Sequence, residues 1–152
     1  MPDSVSVQQS IAAAPEAVTA LISDVTRMGE WSPETTAGTW SKGATGPAVG
    51  ARFKGDNVNE SKRWSTTCTV TAYEPGKVFT FRVNVGPVKV ADWSYTLEAT
   101  DDGCVVTESW TDLRSGLSKK LGGLASGVTD RDTHNRAGMI ATLEALRAAA
   151  EV

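Results

Sequence analysis

Apolar and polar positions alternate from Ser4 to Ala12, with Val5, Val7, Gln9 and Ile11 on one face, which predicts a half-buried strand. The period then lengthens. Pro15 suits a first helical turn, Glu16 favours the positive end of the helix dipole, and Val18, Leu21, Ile22 and Val25 recur at helical spacing. Asp24 is placed to cap a second short helix reaching Met28, and a turn at Gly29 follows. Trp31-Ser32-Pro33 ends any helix, because the residue before a proline is pushed to extended geometry.

From there to Gly103 the period is two, and residues 35–41, 51–59, 63–73, 77–85 and 88–100 read as strands, joined by a sixth at 104–113. Glu74-Pro75-Gly76, Gly86-Pro87 and Asp101-Asp102-Gly103 supply the turns, and such short connections predict antiparallel neighbours. Residues 114–127 hold four glycines and three serines around isolated leucines, as a mobile loop or a marginal helix would. Helical spacing returns over 128–151, where Met139, Leu143, Leu146 and Ala150 trace one stripe. A helix of about 22 residues spans about 33 Å, enough to lie across a whole sheet. The prediction is one α+β domain over 1–152, with a curved antiparallel sheet of about seven strands, two short helices after the first strand and a long C-terminal helix.

Composition narrows the function without fixing it. The 152 residues carry 15 Lys or Arg against 18 Asp or Glu, a net charge of −3 with no strongly basic stretch, which argues against a nucleic-acid partner. No apolar run approaches the roughly 20 residues needed to span a bilayer, and MPDSVSVQQS lacks a basic-then-apolar export pattern, so a cytoplasmic protein without stable membrane insertion is expected. Cys68 and Cys104 are then expected as reduced core thiols. A single histidine and no CxxC or HExxH pattern point to no metal site, and no cofactor is expected. Oligomeric state is left open.

The order of elements, LISDVTRMGEWSP, the GPAVGARF turn, the GCVVTESW strand and the closing NRAGMIATLEALRAAAE together resemble the START-like (SRPBCC) superfamily of polyketide cyclase/dehydrase and lipid-transport proteins. The resemblance covers essentially the whole chain. It implies a helix-grip fold like that of Bet v 1, in which the sheet wraps the C-terminal helix around a cavity for an apolar molecule. Members range from carriers to aromatase/cyclases, so it implies no single chemistry.

Strand alternation gives the inward faces: Trp64, Thr66, Cys68, Val70 and Ala72; Phe79, Phe81, Val83 and Val85; Ala91, Trp93, Tyr95 and Leu97; Cys104, Val106, Glu108 and Trp110. Such a set either fills a core or lines a pocket, and five tryptophans favour the pocket, since large rigid rings hold a void open. Glu108 stands out, because the period that buries Val106 and Trp110 buries it too. It must stay neutral, pair with Arg52, Arg82, Arg131 or Arg136 near the cavity mouth, or meet a ligand. Trp31 either overhangs the opening or plugs the core. His134 falls 140° from the Met139 stripe and is expected toward solvent or at the stripe's edge, whereas Asn135 and Arg136 fall nearer the stripe. No nucleophile–histidine pair is apparent.

The expected ligand-binding set is therefore Trp31, Trp64, Cys68, Phe79, Phe81, Trp93, Tyr95, Val106, Glu108, Trp110, Arg136, Met139 and Leu143, around a hydrophobic or amphipathic guest. In an aromatase/cyclase alternative, Glu108 with Arg82 or Tyr95 moves protons. An interaction module of the co-chaperone kind would instead show a filled interior and an exposed apolar patch.

Overall fold

The computed structural model describes residues 3–152; Met1 and Pro2, where the segment read for an export signal begins, lie outside the described residues. One seven-stranded antiparallel sheet runs in the order β1-β7-β6-β5-β4-β3-β2, formed by β1 (Ser4–Ile11), β2 (Thr35–Ser41), β3 (Arg52–Asn59), β4 (Lys62–Glu74), β5 (Val78–Val85), β6 (Val88–Thr100) and β7 (Gly103–Asp112). Successive strands from β2 to β7 are hairpin neighbours, as their short turns require, and β1 returns to the far edge beside β7. Helix α1 (Pro15–Ser23) and a 3-10 helix (Val25–Glu30) follow β1, while α2 (Gly116–Ser126) and α3 (Arg131–Ala150) follow β7. This is the helix-grip arrangement.

Local chemistry sets the boundaries. Pro15 opens α1, and the Asp24 side chain accepts from the Thr26 N–H at 3.2 Å to start the 3-10 helix. That helix lies against β2 so closely that a Cβ on Gly38 would stand 2.3 Å from the Val25 carbonyl oxygen, so only glycine fits. Within residues 114–127, Gly116–Ser126 form a helix rather than a loop. Ser115 caps α2 by accepting from the Ser118 N–H at 3.2 Å, and Gly127 closes it at φ 74°, the left-handed geometry glycine adopts without strain.

Irregularities in pairing fall at Thr35/Ala37, Val70/Ala72 and Val83/Asn84, and such bulges bend and twist a sheet. The second corrects an inward assignment. Past it Ala72 pairs with Thr80 and Tyr73 with Phe79, so Tyr73 joins the inner face, its ring 6.3 Å from that of Phe79, and Ala72 turns away. The core below α1 and α3 is made by Ile11, Val18, Ile22, Val25, Phe53, Phe79, Val106, Leu143 and Leu146. Phe79, Val106 and Leu143 thus belong to solid core, fully or almost fully buried. Cys68 and Cys104 are both buried and free.

No helix among the described residues is long and apolar enough to cross a membrane. They also contain no group of three or more His, Cys, Asp or Glu that could hold a metal ion.

Candidate functional site

Where α3 passes over the inner faces of β4 to β7, the side chains do not meet, and a cavity of about 430 Å³ remains. Its walls include Trp31, Trp64, Cys68, Phe81, Trp93, Tyr95, Glu108, Trp110 and Met139 from the expected set. Phe53, which strand alternation did not single out, adds a ring 5.2 Å from that of Phe81. Trp31 lines the opening and is also buried against the core, with the Arg27 guanidinium 5.0 Å from its ring on the other side. Arg136 is exposed on α3 and takes no part. It lies one position round the helix from Asn135, which is buried and does line the cavity.

The α3 face over the cavity is Arg131, His134, Asn135, Gly138, Met139, Thr142 and Leu146, a regular three-and-four spacing of mostly small or polar residues. The apolar stripe of Met139, Leu143 and Leu146 only partly coincides with it, because that stripe also serves the core. His134 lies at the edge of this face, about one-third exposed and in contact with the cavity.

Two carboxylates lie on the cavity wall in opposite conditions. Glu108 stands midway along β7, between Val7 on β1 and Tyr95 on β6. The Tyr95 hydroxyl donates to Glu108 Oε2 at 2.9 Å, whereas Oε1 is buried with no partner. Among the described residues no cation pairs with it: Arg82 is on the outer face, held bidentately by Asp92 at 2.8 and 2.9 Å, and Arg131 is engaged elsewhere. The expected salt bridge is absent: Arg82 and Arg131 are committed to Asp92 and Glu34, and Arg52 and Arg136 are exposed and away from the cavity lining. Burial pushes the Glu108 carboxyl up to about 8, against the opposing pull of the Tyr95 hydrogen bond. Burial, and then the Glu108 charge, push the Tyr95 hydroxyl well above its usual value. At neutral pH the pair is therefore an acid and a phenol, both protonated, flanked by the cross-strand neighbours Trp93 and Trp110 with ring centres 6.5 Å apart.

Glu34 lies in the segment between the 3-10 helix and β2. Arg131 Nη1 donates to its Oε1 and Oε2 at 2.8 and 2.9 Å, and His134 Nε2 lies 2.7 Å from Oε2. The same guanidinium reaches Asn135 Oδ1 at 3.3 Å and sits 5.6 Å from the Trp64 ring centre. Every charge at this end has a partner.

Helix α2 borders the cavity through Leu121, Gly122 and Ala125, and Val85 and Val88 at the ends of β5 and β6 also line it. Both of its ends are tied. Arg114, just before it, grips Asp112 at 2.9 and 2.8 Å, and Asn59 Nδ2 donates to the Ser126 carbonyl at 2.9 Å. Burial would raise Asp112, but the Arg114 bonds outweigh it and hold the carboxyl below its usual range. Leu117, Leu121 and Leu124 are more than half exposed, Leu121 at the rim of the opening. The filled interior that an interaction module would show is not present.

The match to known proteins follows the same lines. Residues 2–151 match the model of the polyketide cyclase / dehydrase and lipid transport family. The solution structure of a polyketide-cyclase-like protein from Corynebacterium glutamicum is 33% identical, with a TM-score of 0.65 over 97% of this chain and 90% of that one. The ginseng (Panax ginseng) major latex-like protein 151 shares the fold at 12% identity, TM-score 0.73, covering 99% and 98% of the two chains. A di-domain aromatase/cyclase from the steffimycin biosynthetic pathway does so at 14% identity and TM-score 0.76, over 99% of this chain and 52% of that one. No curated protein matches the sequence. With a family match that runs through residues 2–151, the chain belongs to the polyketide cyclase / dehydrase and lipid transport family.

Proposed function

We propose that this protein binds a hydrophobic or amphipathic small molecule, lipid or polyketide-like, in the cavity between the sheet and α3. The observation that carries this reading is the 430 Å³ hollow itself, walled by aromatic rings and supplied with few polar groups. A space of that size falls within the usual range for small-molecule pockets, where apolar walls supply affinity and a few polar atoms fix orientation. A guest that hides about 300 Å² of apolar surface gains roughly 7 kcal/mol before the costs of association. Four of the five tryptophans line the space, so occupancy reports itself.

The test is titration with an apolar tricyclic probe followed by tryptophan emission, alongside native mass spectrometry of protein purified without denaturation. Saturable quenching at one site per chain, or a co-purified mass, is expected. No saturable response and no adduct would sink the reading.

A second reading, a cyclase-type enzyme, has one observation in its favour. Glu108 and Tyr95 form an acid–phenol pair on the cavity wall, protonated at neutral pH and able to exchange a proton with a bound carbonyl chain. Arg82 is removed from this scheme by its place on the outer face with Asp92. Turnover of a poly-β-ketone substrate that disappears in Glu108→Gln while binding persists would establish it; equal turnover in both would remove it.

A further inference from the structure

Glu108 has two oxygens with different fates. Oε2 already accepts from Tyr95, while Oε1, on a side chain that lines the cavity, is shut away from water and touches no donor or acceptor. A buried polar atom without a partner is costly to leave so, and the Tyr95 hydrogen bond satisfies only the other oxygen. We propose that the cavity's guest carries a carbonyl oxygen, which receives a hydrogen bond from Glu108 Oε1, with its ring system between Trp93, Trp110 and Phe81. This deepens the binding reading above and rests on it.

The direction of the hydrogen bond follows from what surrounds Glu108. From β6 it meets only the Tyr95 hydroxyl, which uses its hydrogen on Oε2; from β1 it meets Val7; β4 offers the Cys68 thiol, pushed up to about 12 by burial. The cationic groups that border the cavity from other elements are already committed, Arg114 to Asp112, and Arg131 together with His134 to Glu34. With no positive charge assigned to it, the carboxyl keeps its hydrogen, and with Oε2 occupied as acceptor that hydrogen resides on Oε1. Oε1 is then an unpartnered donor on a residue of the cavity wall. A carbonyl satisfies it, a hydrocarbon leaves it orphaned, and an ammonium group would have to displace the proton.

Three probes of one shape separate these cases: fluorene, 9-fluorenone and 9-aminofluorene, which is cationic at neutral pH. Calorimetric titration at pH 6.5 is expected to show fluorenone binding roughly tenfold tighter than fluorene, the size of one buried hydrogen bond, and the amine weakest. At pH 9.5 the wild type should lose the ketone preference. Glu108→Gln, whose amide N–H₂ is a donor at either pH, should retain it at both. Glu108→Met, a donor-free side chain of similar length, should show none at either.

Equal affinity of fluorene and fluorenone at pH 6.5 overturns the carbonyl assignment while leaving the cavity a binding site. Tighter binding of the amine at that pH overturns it in favour of a cationic guest. A pH-dependent preference that persists in Glu108→Gln overturns it too, by moving the effect to Glu34, Arg131 and His134. If none of the three binds, the binding reading itself fails with it. Should Glu108→Met not fold, the comparison of wild type with Glu108→Gln across pH still decides.

Discussion

The two ends of the cavity hold the same functional group under opposite rules. At Glu34 an arginine and a histidine converge on a half-buried carboxylate, and its oxygens are spoken for. At Glu108 burial is nearly complete, the only partner is a neutral hydroxyl, and one oxygen is left over. Ion pairing makes the first end structural, joining α3 to the segment before β2. Desolvation without pairing makes the second end chemically available. A charged residue on a pocket wall thus does not by itself mark a binding group; the question is which of its atoms remain uncommitted.

The contrast is broken most decisively by Glu108→Gln studied as a function of pH. The folded chain holds the Glu108 proton up to about 8, and the unfolded chain releases it near the ordinary value of 4.5. Between those values the native state binds more protons, so stability falls as pH rises. The contribution is whole below pH 4.5 and gone above about 8. The wild type is expected to lose roughly 3–5 kcal/mol from this group across that window relative to Glu108→Gln. Urea unfolding of both chains at several pH values from 4.5 to 9 measures the difference, and a flat difference would mean that the carboxyl is not desolvated.

Glu34→Gln addresses the paired end. It leaves the largely buried Arg131 guanidinium with Asn135 and the Trp64 face, at an expected cost of about 1–3 kcal/mol at pH 7. A loss below 0.5 kcal/mol in the same unfolding assay would show that the ion pair does not hold the start of α3. The smallest effect is expected from Tyr95→Phe, about 1 kcal/mol. Its diagnostic consequence is directional: the Tyr95 hydrogen bond is what opposes burial at Glu108, so removing it moves the pH-dependent loss of stability to higher pH.

Much of the wall was legible because β6 and β7 keep strict alternation. Every second residue from Cys104 to Trp110 is buried, and Glu108 could be singled out from its apolar neighbours alone. What was not legible came from three physical sources. The bulge between Val70 and Ala72 exchanges faces without any glycine or proline to announce it, which is why Ala72 and not Tyr73 was placed inward. On α3 the apolar stripe identifies the face toward the core, but a cavity does not demand apolar residues, so a stripe of Asn135, Gly138 and Thr142 gives no hydrophobic signal.

His134 illustrates the third source. Its angle from Met139 was right, yet its destination was set by Glu34, a hundred positions earlier in the chain, and only the assembled fold brings the two together. The same remoteness hid Phe53, whose short strand carries just one other buried residue, Gly55, to hint at alternation.

The Cys68 sulfur forms part of the cavity wall at 3% exposure, and its ionisation is held near 12. Thiolate, the form that attacks an alkylating reagent, is therefore scarce while the chain is closed. Alkylation of this thiol by iodoacetamide becomes a clock for how often the walls part, its rate governed by opening events rather than by intrinsic sulfur reactivity. An occupant wedged against that wall would slow the clock, giving a readout of residence that requires no dye and no change to the protein.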